Sequence, residues 1–136
     1  MLQYFTAYVL TAFVFLAIDF LWLTRVAKSF YFSRLGDMLL DTPRLGAAAA
    51  FYAVYVVGIL IFAVVPALRS DSVGTALLYG SLFGLFTYAT YDMTNYATLK
   101  GWPFSVVIVD VAWGACLTGV SAAIGCWATR AVLQGT

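Results

Sequence analysis

The stretch LGAAAAFYAVYVVGILIFAVV, residues 45–65, contains no charged side chain. A helix of about 20 apolar residues crosses the hydrocarbon core of a bilayer. Three further stretches are long and apolar enough to do the same, at residues 2–23, 73–94 and 104–129. Backbone groups in lipid must bond to one another, and these runs are too long for barrel strands. The sequence therefore predicts an all-α, polytopic membrane protein: one domain over residues 1–136 with four transmembrane helices.

The composition of the whole chain agrees with this prediction. Of its 136 residues, 64% are hydrophobic and 10% are charged, and the mean hydropathy is +0.96. A soluble domain has about 45–50% apolar and about 25% charged residues. The chain has no histidine, which excludes histidine-ligated zinc or haem and Ser-His-Asp catalysis. A net charge of +1 offers no basic surface, so we expect no nucleic-acid partner.

Basic residues between the spans predict the orientation of the chain. Residues 24–44 carry four of them and residues 95–103 carry one, whereas the other side has only Arg69 and Arg130. Cytoplasmic loops hold the excess of Lys and Arg. We therefore expect loops 24–44 and 95–103 in the cytoplasm. Both termini would then lie in the periplasm of a bacterial cell, with the protein in the inner membrane.

The first cytoplasmic loop alternates large apolar residues with charged ones over residues 27–41. This pattern predicts a short amphipathic helix in the membrane interface. A disordered basic loop is the alternative, but the segment holds many aromatic residues. Thr42 and Pro43 then predict the N-cap and first residue of the second span, and Pro66 predicts its end.

Three aspartates, Asp19, Asp92 and Asp110, lie within the predicted spans, and no basic residue shares those spans. A carboxylate at the centre of a bilayer costs about 3 kcal/mol, so an intramembrane acid is a candidate functional residue. At about 1.5 Å per residue, the three acids lie about 9–12 Å from the cytoplasmic loops. This common depth predicts an acidic pocket open toward the cytoplasm. The acids are candidate catalytic acid–base groups, or ligands of a hard cation.

Each acid lies on a helix face that is poorly suited to lipid. Asp92 continues a four-residue repeat that begins with Gly80 and Gly84, a pattern that allows close helix packing. Asp110 shares a stripe of small residues with Gly114. The three glycines are therefore predicted packing residues, and a homo-oligomer through the third or fourth helix is a further expectation.

Neutral hydrogen-bond donors near the acids are their expected partners. The candidates are Trp22, Tyr52, Tyr55, Tyr88, Asn95 and Trp113. Protonation of one or more acids, or a bound cation, are the other ways to offset the buried charge. An interhelical clasp is the plain structural alternative, at about 0.6 kcal/mol per hydrogen bond. No motif specifies a cofactor.

Three patterns carry a resemblance to a known family: DFLWL at 19–23, YDMTNYATL at 91–99 followed by Trp102-Pro103, and DVAWG at 110–114. Together they resemble domain-of-unknown-function family 2177, small inner-membrane proteins of bacteria, over essentially the whole chain. The resemblance implies fold and location. Such genes often lie near genes that resemble fatty-acid-modifying enzymes, which implies a role in membrane-lipid modification. The motif Asp-x-x-Trp occurs twice, a repeat that we treat as coincidental, since an inverted repeat would place the two acids on opposite sides.

Three functions from different classes follow. The first is an enzyme, or a subunit of one, that acts on membrane lipids through the three aspartates. The second is a small oligomeric transporter linked to protons or cations, because buried acids serve as ion sites in such proteins. The third is a non-catalytic scaffold in which the aspartates clasp helices together. Membrane lipids are the expected partners in the first case.

Overall fold

The computed structural model describes residues 1–134, which form five helices and no strand. Two of the helices each contain one wider π-turn, at Trp22–Val26 and at Leu60–Val64. The helices are α1 (Leu2–Val26), α2 (Lys28–Leu35), α3 (Leu45–Ser70), α4 (Val73–Thr98) and α5 (Phe104–Gln134). All except α2 are long and apolar enough to cross a membrane. The prediction of an all-α protein with four spans is confirmed.

The helices extend beyond the apolar runs that predict them. α1 continues to Val26, α4 to Thr98 and α5 to Gln134. Hydropathy marks the part of a helix that lies in hydrocarbon, whereas the backbone hydrogen bonds continue into the polar flanks. The span ends in the sequence analysis are therefore too short at these three places.

Pro66 does not end α3, contrary to the prediction. The helix continues to Ser70, and the π-turn at Leu60–Val64 comes immediately before the proline turn. Proline removes one backbone donor, and local π-type adjustment pairs the groups that it frees in membrane helices. Thr42 and Pro43 do not begin α3 either. The helix starts at Leu45 because Arg44, with ψ 89°, is not helical.

Glycines set the distance between α4 and α5, the two helices with the most extensive contact. A Cβ atom on Gly80 would lie 2.8 Å from the Cβ of Ala122, and one on Gly84 would overlap the backbone carbonyl of Gly114. A Cβ on Gly114 would overlap the ring of Tyr88. The small-residue face of α4 is thus filled within one protomer. A homo-oligomer stays a prediction, and it would need a different face.

The short amphipathic helix is present as α2, followed by one 3-10 turn at Gly36–Met38. It is shorter than the predicted 27–41 segment because Gly36, with φ 30°, ends the α-helix. Arg34 lies over the ring of Phe30 at 4.1 Å and donates a hydrogen bond from Nε to Ser105 Oγ at 3.1 Å. The hydrogen bond to Ser105 holds α2 against the start of α5, and the contact with Phe30 positions the guanidinium within α2.

Candidate functional site

A cavity of about 690 Å³ lies between α2, the segment that follows it, and the adjoining ends of the four spans. Its lining has two parts. The polar cluster consists of Asp19, Tyr31, Tyr52, Asp110 and Trp113. The apolar wall consists of Leu23, Leu35, Leu39, Leu40 and Ala48. The cavity therefore presents hydrogen-bonding groups and aliphatic surface to one space.

Asp19 joins three helices through both of its carboxylate oxygens. Oδ2 accepts a hydrogen bond from the Tyr52 hydroxyl of α3 at 2.7 Å, and Oδ1 accepts one from the Trp113 indole of α5 at 3.2 Å. The side chain of Asp19 is buried, at 6% exposure. Each oxygen has its own donor, so Asp19 clasps α1 to α3 and α5.

Asp110 is held from a different direction. Its Oδ1 accepts a hydrogen bond from the hydroxyl of Tyr31, which lies on α2. The same hydroxyl accepts a hydrogen bond from Trp22 Nε1 at 3.2 Å. Tyr31 thus links α2 to both α1 and α5. These two hydrogen bonds help to fix the short helix α2 beside the cavity.

The two Asp-x-x-Trp motifs meet at this site. The indole rings of Trp22 and Trp113 stack, with centroids 4.1 Å apart and an interplanar angle of 9°. Each indole interacts with the acid of the other motif. Trp113 donates a hydrogen bond to Asp19, and Trp22 donates one to Tyr31, which in turn donates to Asp110. The repeat, which appears coincidental in the sequence, is a structural pairing in the folded chain.

Asp92 is unlike the other two acids. Its side chain is fully buried, at 0% exposure, and neither carboxylate oxygen meets a donor with hydrogen-bond geometry within residues 1–134. It lies beside Asp110 and beside Trp102, whose indole nitrogen is also buried and unpaired. A buried polar group without a partner costs about 1–3 kcal/mol. Burial of Asp92 therefore lowers the free energy of unfolding.

The model of the family described as "Predicted membrane protein (DUF2177)" matches residues 4–127. The chain belongs to this family. No curated protein and no solved structure matches the chain. The matched range of this DUF2177 protein reaches into all four spans and contains the whole polar cluster together with Asp92. The family description states a membrane location and names no activity.

Four of the six donors expected around the acids line the cavity of the DUF2177 protein: Trp22, Tyr52, Tyr88 and Trp113. Tyr55 does not, because its hydroxyl pairs with that of Thr118 at 2.8 Å, within the core of the bundle. Asn95 interacts with Tyr91 and lies outside the cavity lining. Of the three acids, Asp19 and Asp110 line the cavity, and Asp92 adjoins Asp110.

Sequence reasoning missed Tyr31 and Trp102, which both line the cavity of the DUF2177 protein. Tyr31 is the most informative omission, because it is the donor to Asp110. Its place in an aromatic run at residues 30–32 is the one feature of the sequence that marks it. An amphipathic pattern shows that such a helix has an apolar face, but not which side chain turns back toward the spans.

Asp19, Asp92 and Asp110 have neither metal-site geometry nor a basic partner within the part of the chain that the structure describes. Within residues 1–134, no three acidic or thiol side chains come close enough together to hold a metal ion. The ion pair in the same range joins Arg130 to Asp71 at 2.6 Å. Arg130 lies 20 residues beyond Asp110 on α5, or about 30 Å along the helix. Tyrosine and tryptophan donors stabilise Asp19 and Asp110 instead.

Tyr31 gives this DUF2177 protein a pH-dependent element outside the spans. Burial and the hydrogen bond to Asp110 raise the pKa of Tyr31 above its usual value of about 10. The folded phenol keeps its proton to higher pH than the unfolded one, so its contribution to stability is full below about pH 10 and falls as the pH rises further. We expect the free energy of unfolding to decline more steeply above that pH in the wild type than in Tyr31→Phe. Equal slopes in denaturant unfolding across a pH series would contradict this.

Proposed function

We propose that this protein binds a membrane lipid in the cavity and takes part in membrane-lipid modification. The observation that supports the proposal is the cavity itself, in which the polar cluster and the apolar wall face one space. Ligand sites are clefts of about 300–1,000 Å³, mostly apolar, with a few placed polar groups. A cavity of about 690 Å³ accommodates a lipid headgroup with the first part of its chains. The remainder of the chains would stay in the bilayer.

The entrance to the cavity suits a lipid. Phe32, Met38 and Leu40 line it and are 52%, 48% and 52% exposed, respectively. Apolar surface of this kind on an interfacial segment contacts acyl chains. The excess of basic residues in loops 24–44 and 95–103 supports a cavity open to the cytoplasmic leaflet, in a bacterial inner membrane.

Asp110 is the proposed acid–base residue toward the lipid. Asp19 already receives one donor on each oxygen, from Tyr52 and Trp113. Within residues 1–134, the one hydrogen bond of standard geometry to Asp110 comes from Tyr31, and Asp110 lines the cavity beside Asp92. A carboxyl group that keeps hydrogen-bonding capacity toward a ligand can accept or give a proton there. In this proposal Asp19 holds the helices, which is the role that the scaffold hypothesis assigns to all three acids.

A transport path through one protomer has less support. The half of the bundle opposite the cavity is closely packed, since a Cβ atom on Gly119 would overlap the hydroxyl of Ser81 and one on Gly125 would overlap the hydroxyl of Thr11. Thr11, Gly119 and Gly125 are buried at these two contacts. Contact this close leaves little width for an ion or a solute between α5 and the helices that it meets there.

Filling the cavity tests the proposal. Ala48 lines the cavity, whereas Ala50, on the same helix, is exposed and does not. We expect Ala48→Trp to lose most of the lipid that the wild type retains through purification, because the indole occupies the ligand space. Ala50→Trp, the matched control, should retain lipid as the wild type does. Lipid extraction followed by mass spectrometry measures the retained amount.

Two results would contradict lipid binding in the cavity. One is a wild-type protein that retains no lipid after gentle purification. The other is retention in Ala48→Trp that equals retention in Ala50→Trp, because the lipid would then bind elsewhere. Equal unfolding temperatures of the two variants establish that the comparison concerns binding and not folding.

A further inference from the structure

The cavity holds more acidic groups than its own side chains offset. Asp19 and Asp110 line it, and Asp92 lies buried beside Asp110. The basic residues in the lining are Lys28 and Arg44, and both are exposed. Neither forms an ion pair with an acid within residues 1–134, where the recorded pair is at the other end of the bundle. No side chain within residues 1–134 therefore gives these acids a paired positive charge, and a cationic ligand would supply one.

Aromatic rings supply much of the remaining cavity surface. Seven tyrosines and tryptophans line it: Trp22, Tyr31, Tyr52, Tyr88, Tyr91, Trp102 and Trp113. The polar atoms of Tyr52 and Trp113 are engaged with Asp19, and that of Tyr31 with Asp110. These three side chains would therefore contact a ligand mainly through the faces of their rings. A cation over such a ring gains about 0.5–2 kcal/mol, and ammonium groups are recognised by aromatic cages.

Asp92 provides independent support. It is fully buried, neither of its oxygens has a hydrogen bond of standard geometry within residues 1–134, and it adjoins Asp110. A neutral or anionic ligand would leave this pair of acids without an opposite charge. A cation bound at Asp110 would lower the electrostatic cost of both carboxyl groups, because an opposite charge nearby favours the charged form.

Resting on the lipid-binding function proposed above, we infer that the ligand carries an alkylammonium group, which binds between the rings of the polar cluster and Asp110. The chemical class is a phospholipid whose headgroup ends in an amine. Its phosphate would lie toward the exposed Lys28 and Arg44, and its chains along the apolar wall. A free amine shares the ammonium chemistry but has no chains for that wall.

The test compares two lipids in one membrane. The protein is reconstituted in nanodiscs with equal amounts of phosphatidylethanolamine and phosphatidylglycerol that have the same acyl chains. Native mass spectrometry then measures which lipid stays bound. We expect enrichment of phosphatidylethanolamine by about tenfold, which corresponds to about 1.4 kcal/mol. Asp110→Asn should abolish the enrichment while lipid remains bound.

Asp37→Asn is the matched control. Asp37 lies in the 3-10 turn after α2, is exposed, and does not line the cavity, so its loss changes the net charge equally. Enrichment should survive in this variant. If Asp110→Asn does not fold, Asp92→Asn takes its place, because Asp92 makes no hydrogen bond within residues 1–134 that the change would break. It should weaken the enrichment.

The other outcomes of the experiment distinguish failure of this inference from failure of the proposed function. Bound lipid without preference for the amine overturns this inference and leaves lipid binding intact, whereas no bound lipid of either kind overturns the proposed function. Enrichment that persists in both Asp110→Asn and Asp92→Asn overturns the assignment of the ammonium to these acids. Tetramethylammonium serves as the soluble probe: if it binds the delipidated protein while neither lipid is enriched, the ligand is a free amine and the lipid assignment is wrong.

Discussion

Gly84→Ala should lower the free energy of unfolding by about 2 kcal/mol or more, since overpacking of a tight contact costs about 1–3 kcal/mol. The added Cβ would overlap the carbonyl oxygen and carbon of Gly114, which are backbone atoms and cannot rotate away. α5 must therefore move as a whole. Trp113 moves with it, so the hydrogen bond to Asp19 should weaken and lipid retention should fall as well.

Gly46→Ala is the matched control for this helix contact. Gly46 lies in the first turn of α3, and a Cβ there meets no atom within 4 Å. The same substitution should leave the protein equally stable or more stable, because Ala favours a helix over Gly by up to about 1 kcal/mol. Thermal unfolding in a mild detergent measures both variants. A Gly84→Ala protein as stable as Gly46→Ala would mean that α4 and α5 are not in close contact.

Asp19→Asn and Asp92→Asn should have opposite effects on stability, although the two changes are chemically identical. The amide of Asn has one acceptor oxygen and a donor NH₂ group. At position 19 the NH₂ group would face Trp113, which only donates, or Tyr52, whose oxygen could accept it but whose own proton would then lose its acceptor. Leaving a buried donor unpaired costs about 1–3 kcal/mol. At position 92 the side chain has no hydrogen bond of standard geometry within residues 1–134, and an Asn with its oxygen toward Trp102 can donate from its NH₂ group to Asp110.

We therefore expect Asp19→Asn to lose about 2 kcal/mol of stability and Asp92→Asn to be neutral or to gain about 1 kcal/mol, in line with one net hydrogen bond. Equilibrium unfolding of the lipid-free protein gives both values. Equal destabilisation by the two changes would show that Asp92 has a structural partner. Stabilisation by Asp92→Asn together with weaker amine enrichment would identify a residue kept for binding at a cost in stability.

The number and approximate position of the spans can be predicted from the sequence because they depend on properties of each segment alone and not on contacts between segments. Length and apolar content decide whether a segment crosses a bilayer, and 45–65 satisfies both on its own. The ends of the spans are not determined in this way. The continuation of α3 past Pro66 depends on the π-turn at Leu60–Val64, and no residue pattern specifies such a turn.

The candidate site is only partly predictable, for a related reason. Depth along each helix can be counted, and Asp19 and Asp110 do line one cavity. The partners of an acid depend on which helices are neighbours and on their rotation. Tyr52 and Tyr55 are three residues apart, and one donates to Asp19 whereas the other binds Thr118. The periodicity of the sequence predicts neither the different partners of these two tyrosines nor the position of α2 beside the cavity.

The bond between Trp113 and Asp19 spans 94 residues of sequence, and that separation governs how the protein is made. Synthesis at about 5–20 residues per second leaves about 5–20 s between the emergence of the acid and of its indole partner. The Tyr52 hydroxyl arrives earlier, 33 residues after Asp19. During the first part of this interval α1 enters the bilayer with an unpaired carboxyl group. Neither of the two donors that pair this group in the folded protein is available to it at that stage.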